Sequence, residues 1–559
     1  MPIRFRLSQA AIAASALALA AAAPLGQSFN RAASAITASA LLSHISVLAS
    51  DEYGGRGPGT AGEQKSVAYL TAQCRALGLK PGNPDGTFIQ KVALWGIRSE
   101  GTLSITLKGS ALPLVTRQDY LASSQLPVPA VAIQDSGLVF AGYGVVAPEF
   151  HWDDYKGIDV KGKTVVLLSG DPPVPDPNDP SKLDEKMFLG VALSQYGRPA
   201  TKSDTAYRKG AVAVITVFAP RNGANLARFA QNAPRETMIL RDNVSPNRIS
   251  AQASLAESKA QEMFTAAGLD LGALRKKAIR PDFQPVALPG AATFQLRNLV
   301  REVDSDNVIA LLPGSDPKLR DEYIVYSGHW DHLGTDGEKI YHGASDNAAG
   351  TAGVLELARA FTELKPAPKR TTLFLWTTAE EKGLLGAQFY VKHPLYPLKN
   401  TLADINLDYF SNWGWGRTRD LSIVGLGNSS LDDLTIAAVK RQGRVVTGDT
   451  APAEGFYFRS DHLEFAKGGV PSLETSPGID FVGKPAGYGV QVRDKYIRDN
   501  YHKVTDQVQP NWDLTGAVED LKVLFEVGYR VAQGQTRPAF KPDAPYQFAP
   551  RSENRKPGR

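Results

Sequence analysis

One cysteine, Cys74, is all that the 559 residues contain, so the chain has no intramolecular disulfide and no thiolate cluster for a metal. Cys74 falls in a stretch of helical spacing over residues 66–79, and a buried structural thiol is expected there. After residue 24 no apolar run approaches the roughly 20 residues of a membrane helix, which argues against stable membrane insertion. Charge of one sign is not concentrated either. The formal net charge is +5, two of those units come from Arg4 and Arg6, and basic residues cluster only in the C-terminal tail; nucleic-acid binding is not implied. A Gly-x-Ser-x-Gly elbow and a His-Glu-x-x-His helix are also missing, which weighs against a seryl nucleophile and against a zinc-binding helix of that type.

What is present has a clear order. Residues 1–23 carry Arg4 and Arg6 and then an Ala/Leu/Ile run ending in small residues, the pattern of a secretory signal peptide, so an exported protein, periplasmic or extracellular, is expected. Apolar residues recur at helical spacing over 36–48 and 63–77, with the Gly-rich stretch from Tyr53 to Gly59 between them. Short β-branched runs over 101–107, 136–141, 163–168 and 211–218 suggest a β-rich insert spanning about 93–295. From 307 onward strands and helices alternate: strands near 308–312, 323–327, 371–377 and 404–409, helices near 351–363, 384–392 and 514–532. Such alternation implies an α/β fold with a mainly parallel central sheet flanked by helices. The boundaries expected are 30–92 and 296–532 for a catalytic domain split by the insert, and 533–559 for a flexible, Pro-rich tail.

Candidate chemistry sits where the apolar runs stop. His329 and Asp331 end one run, Asp346 and Asn347 follow, and Glu380 and Glu381 end another. An open α/β sheet binds its ligands at the carboxyl ends of its strands. Asp408 is preferred to Asp404 because it lies at the end of its strand, beside the Gly/Ser/Asn loop of residues 411–416; His502 lies just before the final helix. Zinc takes imidazole nitrogen and carboxylate oxygen. Five candidates, His329, Asp346, Glu381, Asp408 and His502, are too many for one tetrahedral ion and suit two ions that share a bridging carboxylate.

Taken together these residues resemble the di-zinc aminopeptidases related to bacterial leucyl aminopeptidase and aminopeptidase Y, whose kin include glutamate carboxypeptidase II, transferrin receptor and glutaminyl cyclase. The likeness rests on His329-Trp-Asp331-His332-Leu-Gly, Gly343-Ala-Ser-Asp346-Asn347-Ala-Ala-Gly350, Glu380-Glu381, Asn406-Leu-Asp408 and Tyr501-His502, in the family's order, and extends to Gly55-Arg56 and Ser460-Asp461-His462. It covers about residues 35–530. The insert resembles a protease-associated domain through Gly142-Tyr-Gly144 and Trp152-Asp-Asp-Tyr155. By this resemblance Asp346 would bridge two zinc ions, His329 and Asp408 would complete one site, and Glu381 and His502 the other. Glu380 would be the general base, Asp331 would orient the His329 ring, and Asp506 would do the same for His502.

The implied activity is removal of N-terminal residues from peptides. Three alternatives stay open: a glutamate carboxypeptidase-like exopeptidase, a glutaminyl cyclase, and a non-catalytic binding protein of the transferrin receptor type. His462 either lines the substrate pocket or packs in the interior. His332 is expected to be a packed, loop-stabilising residue, and His44, His151, His342 and His393 to be structural or solvated. Preferred side chain and oligomeric state are not legible in the residues.

Overall fold

The computed structural model describes residues 26–218, 226–227, 230, 236–243, 248–408, 414–534 and 537–546. The segment 1–23 expected to be a signal peptide, residues 409–413 of the loop after Asp408 and most of the expected tail lie outside the described residues. The chain divides into two compact units: one of Met1–Val92, Asp304–Thr450 and Arg459–Arg559, the other of Ala93–Val303 with Ala451–Phe458.

In the first unit the strands of the main sheet include, in chain order, β1 (Val286–Leu312, of which 304–312 belong here), β2 (Tyr323–His329), β3 (Thr371–Thr377), β4 (Thr401–Asn406), β5 (Asp420–Val424), β6 (Val445–Thr447) and β7 (Ser472–Pro477). Their spatial order is β6-β5-β7-β4-β2-β3-β1. The four central strands, β7, β4, β2 and β3, are parallel; β1 joins β3 antiparallel, and β5 joins β7 antiparallel while pairing parallel with β6. Every residue of β2, β3 and β4 is buried. That is the signature of strands covered on both faces, and it explains their continuous apolar and β-branched texture.

The covering helices include Ala38–Leu48, Gly350–Thr362 and Thr515–Gln533. Their apolar stripes join the strands in one core that holds Leu41, Ile45, Val354, Phe361, Leu521 and Phe525. Burial of a Leu or Phe side chain of this kind contributes about 1.5–3 kcal/mol. Cys74 is buried in the same core, and burial pushes its thiol up to about 12. No single described helix is long and apolar enough to cross a membrane.

The second unit is built around a run of mostly parallel strands. Ala130–Phe140, Thr164–Leu168, Ala213–Phe218 and Ala251–Ala256 run parallel in that order, and Tyr120–Ser123 closes the edge antiparallel. It is less purely β than its sequence texture suggests, because Pro199–Arg208, Glu257–Ala267 and Leu271–Ala278 are helices. Phe140, Phe264 and Phe283 pack edge to face at its centre.

Candidate metal centre

Three strand ends bring the first residues together. In β2 His329 stands in register with Thr377 of β3, and Ser327 with Asn406 of β4, so the carboxyl ends of these parallel strands lie side by side. His329 is the last residue of β2, Glu380 and Glu381 follow β3, and Asp408 follows β4. Ala379, at the departure from β3, has φ 52°, and His502 has φ 57°. Both sit in the left-handed region that side chains other than glycine seldom adopt, and such conformations cluster at functional sites.

Asp346 comes from the irregular segment Ala344–Ala349 that runs into the helix Gly350–Thr362. The segment is tied to the strand ends from several sides. Asn347 Nδ2 donates to the Leu407 carbonyl at 2.9 Å, and the Thr351 hydroxyl donates to the His329 carbonyl at 2.7 Å. Asp506, almost fully buried, accepts the backbone N–H groups of Ser345 and Asp346, each at 3.1 Å.

Two clusters result, and Asp346 belongs to both. His329 Nε2 lies 3.2 Å from Asp408 Oδ1, 3.5 Å from Asp346 Oδ1 and 3.8 Å from Glu380 Oε2. His502 Nε2 lies 3.0 Å from Asp346 Oδ2 and 3.1 Å from Glu381 Oε2. Ligand atoms about 2.0–2.2 Å from a tetrahedral zinc ion stand about 3.3 Å apart, so both clusters have the spacing such an ion requires. Their chemistry fits as well. Asp346 Oδ2 is buried and accepts no hydrogen bond among the described residues.

Negative charge is in excess there. Asp346, Glu380 and Asp408 are each less than a tenth exposed. Burial works against a charged His329, yet Asp408 and Glu380 hold its imidazole well above the usual range. Burial, with the charges of Asp408, Glu381 and Asp461 beside it, raises the Glu380 carboxyl well above the carboxylate range, although His329 pulls the other way. A cation between these groups would relieve the mutual repulsion.

Arg56, whose role was not legible in the sequence, is fully buried. Its guanidinium donates to four main-chain oxygens: Nε to Trp330 at 2.8 Å, Nη1 to Leu48 at 2.8 Å and to His342 at 2.6 Å, and Nη2 to Gly343 at 2.8 Å. It therefore joins the segment after His329 to the segment before Asp346. Burial holds it down to about 10 against the pull of Asp506, Asp331, Asp346 and Glu381. The only signal in the chain was the Gly55-Arg56 pair, and nothing in it pointed to partners so distant in sequence.

Two orienting roles differ from expectation in their atoms. His329 Nδ1 meets the main-chain oxygen of Asp331 at 3.1 Å, whereas Asp331 Oδ1 stands farther off at 3.7 Å and accepts the Glu380 N–H at 3.1 Å. Asp506 serves the backbone of Ser345 and Asp346 and the Tyr496 hydroxyl, at 3.2 Å. A carboxylate that accepts adjacent N–H groups fixes a turn, and here the turn carries Asp346. His462 is 1% exposed and its Nδ1 contacts the Glu474 carboxylate. His332 is fully buried, with Nδ1 2.6 Å from Glu381 Oε1.

Residues 307–525 match the model of Peptidase family M28. This segment holds all five candidate ligands and Glu380. Among curated proteins, the chain is 38% identical over 117 residues to a probable zinc metalloprotease of Pyrenophora teres f. teres, covering 20% of this chain and 24% of that protein. It is 26% identical over 351 residues to leucine aminopeptidase 2 of Trichophyton rubrum, covering 57% of this chain and 67% of that one. The alignment thus spans about a quarter of the length of the first of these relatives. Among solved structures, the aminopeptidase from Aneurinibacillus sp. strain AM-1 superposes with a TM-score of 0.53 at 18% identity, over 94% of this chain and 100% of that one. That likeness shows a shared fold.

Proposed function

We propose that this chain is an exported, zinc-dependent aminopeptidase that hydrolyses the first peptide bond of its substrates at a binuclear site. The observation that carries the reading is the carboxylate of Asp346, whose two oxygens face two different imidazoles, His329 at 3.5 Å and His502 at 3.0 Å. A bridging ligand has this disposition. His329 and Asp408 would complete one zinc site, Glu381 and His502 the other.

Two zinc ions so held would polarise the scissile carbonyl and lower the pKa of a bound water toward about 7. Glu380 supplies the proton transfer: its Oε2 lies 3.8 Å from His329 Nε2, beside the cluster. It takes the proton of the attacking water and returns it to the departing amine nitrogen, a contribution of about 10²–10⁴-fold. Glu380 is aimed by its own backbone, because its N–H is held by the Asp331 carboxylate. Asp331 also fixes the His329 tautomer through its main-chain oxygen, leaving Nε2 free for metal. The insert of residues 93–295 contributes none of these groups and is assigned as a protease-associated domain that does no chemistry. Export follows from the Arg-containing, Ala-rich segment 1–23.

A panel of aminoacyl-p-nitroanilides alongside N-blocked dipeptides tests the reading. Cleavage of the anilides with the blocked dipeptides left intact is expected. The reverse would indicate a carboxypeptidase, and inertness toward both with zinc bound would indicate a binding protein.

A further inference from the structure

The ligand scheme leaves His332 without a task, yet this residue is fully buried and its Nδ1 stands 2.6 Å from Glu381 Oε1. The other oxygen of the same carboxylate, Oε2, stands 3.1 Å from His502 Nε2. These two separations differ in kind. Two ligands of one tetrahedral zinc ion stay about 3.3 Å apart, close to the His502 distance. A separation of 2.6 Å is too short for two such ligands and lies near the charge-assisted N–H···O range of about 2.7–2.9 Å. His332 therefore suits a donor to Glu381 better than an additional ligand.

The surroundings hold the ring in that place. The His332 backbone N–H donates to the Arg56 carbonyl at 3.3 Å. Gly343, at φ 56°, lies so close that a β-carbon there would come within 2.5 and 2.6 Å of ring carbons of His332. The His502 ring meets it edge-on, with centroids 5.8 Å apart. The imidazole thus has a glycine against one side and a proposed ligand against another.

We propose that His332 is a positioning residue: its Nδ1–H holds Glu381 Oε1, so that Glu381 offers a metal ion only Oε2. A carboxylate confined to one oxygen leaves a coordination position open for water and substrate, which a bidentate carboxylate would fill. The inference rests on the binuclear reading above and adds to it a residue that sets how one ligand binds.

The test uses the full chain with His332→Leu, which removes the donor, and His332→Asn, whose carboxamide nitrogen can take the place of Nδ1. Zinc affinities are measured by competition with a chromophoric chelator, and the cobalt-loaded forms are compared by visible absorption. His332→Leu is expected to weaken one of the two ions by about 10–100-fold and leave the other unchanged, with His332→Asn recovering most of the loss. At saturating cobalt the Leu variant should absorb more weakly, since a freed Glu381 turns bidentate and raises the coordination number. If His332→Leu does not fold, His332→Gln, which moves the donor to the Nε2 side, should show the same weakening. Unchanged affinity in His332→Leu, with a parent that binds two ions, would overturn the inference alone. Stronger cobalt bands with no rescue by Asn would overturn it in favour of His332 as a ligand. A parent that binds no pair of ions would overturn the binuclear reading itself, and this inference with it.

Discussion

Arg56 Nη2 donates to the carbonyl oxygen of Gly343 at 2.8 Å, across 287 positions of sequence. The same guanidinium reaches Trp330, Leu48 and His342, so one buried cation organises the backbone on both sides of the proposed ligands. Removing it would strand several buried carbonyl oxygens in the presence of Asp331, Asp346 and Asp506.

Arg56→Met is therefore expected to destabilise the chain by about 3 kcal/mol or more, because each orphaned buried acceptor costs about 1–3 kcal/mol. Arg56→Lys should recover only part of this, since an ammonium cannot reproduce the planar fork. Urea unfolding of the two variants measures both effects. Stability equal to the parent in Arg56→Met would mean that the four bonds contribute nothing net.

The Glu380 and Glu381 pair separates proton transfer from metal binding. Glu380→Gln should retain zinc and fold while turnover falls by about 10² or more; Glu381→Gln should instead lower the affinity of one metal site. Turnover and zinc affinity measured side by side decide the matter, and exchanged phenotypes would invert the two assignments.

Asp404 gives a pH dependence away from the proposed ligands. Its buried carboxyl is pushed up to about 8 by burial, against the hydrogen bond of Ser327 and with the charge of Glu474 adding to the rise. The Ser327 hydroxyl lies 2.7 Å from Asp404 Oδ1 and 2.9 Å from Asn406 Oδ1, and one hydroxyl proton cannot serve both oxygens. A protonated Asp404 whose Oδ1 donates to Ser327, which then donates to Asn406, reconciles these two contacts.

Between the unfolded value of 3.8 and about 8 the folded chain keeps a proton that the unfolded chain has lost. The stabilisation from this group is complete below that window and declines as pH rises through it, by at most about 1.4 kcal/mol per pH unit. Asp404→Asn carries a neutral carboxamide and should lack this decline. Unfolding free energies of parent and variant from pH 5 to pH 8.5 should diverge steadily, and parallel profiles would rule out the shift.

Much of the fold was legible because its signals are local. The apolar run now seen as β3 ends where the sequence indicated and β2 runs two residues past its expected end, to His329; the proposed ligands appear at those ends because parallel strands place their carboxyl termini together. Asp346 was legible through its Ser-Asp-Asn context. The partners of the supporting residues were not, since they are far away in sequence: Gly343 for Arg56, Asp346 for Asp506, Glu381 for His332. Asp331 shows a subtler limit. Its proximity to His329 was evident, but whether its side chain or its main chain would meet the ring depends on how the chain turns after β2. The helices within 93–303 were hidden by short β-branched runs between them, which periodicity reads as strand alone.

The central claim is that two ions share Asp346. Zinc content per chain, measured after dialysis of the full-length protein against zinc and then against metal-free buffer, tests it most directly. About two ions per chain are expected, falling to one or fewer in Asp346→Ala because both clusters lose a ligand. A single ion in the parent, or two ions retained by Asp346→Ala, would contradict it.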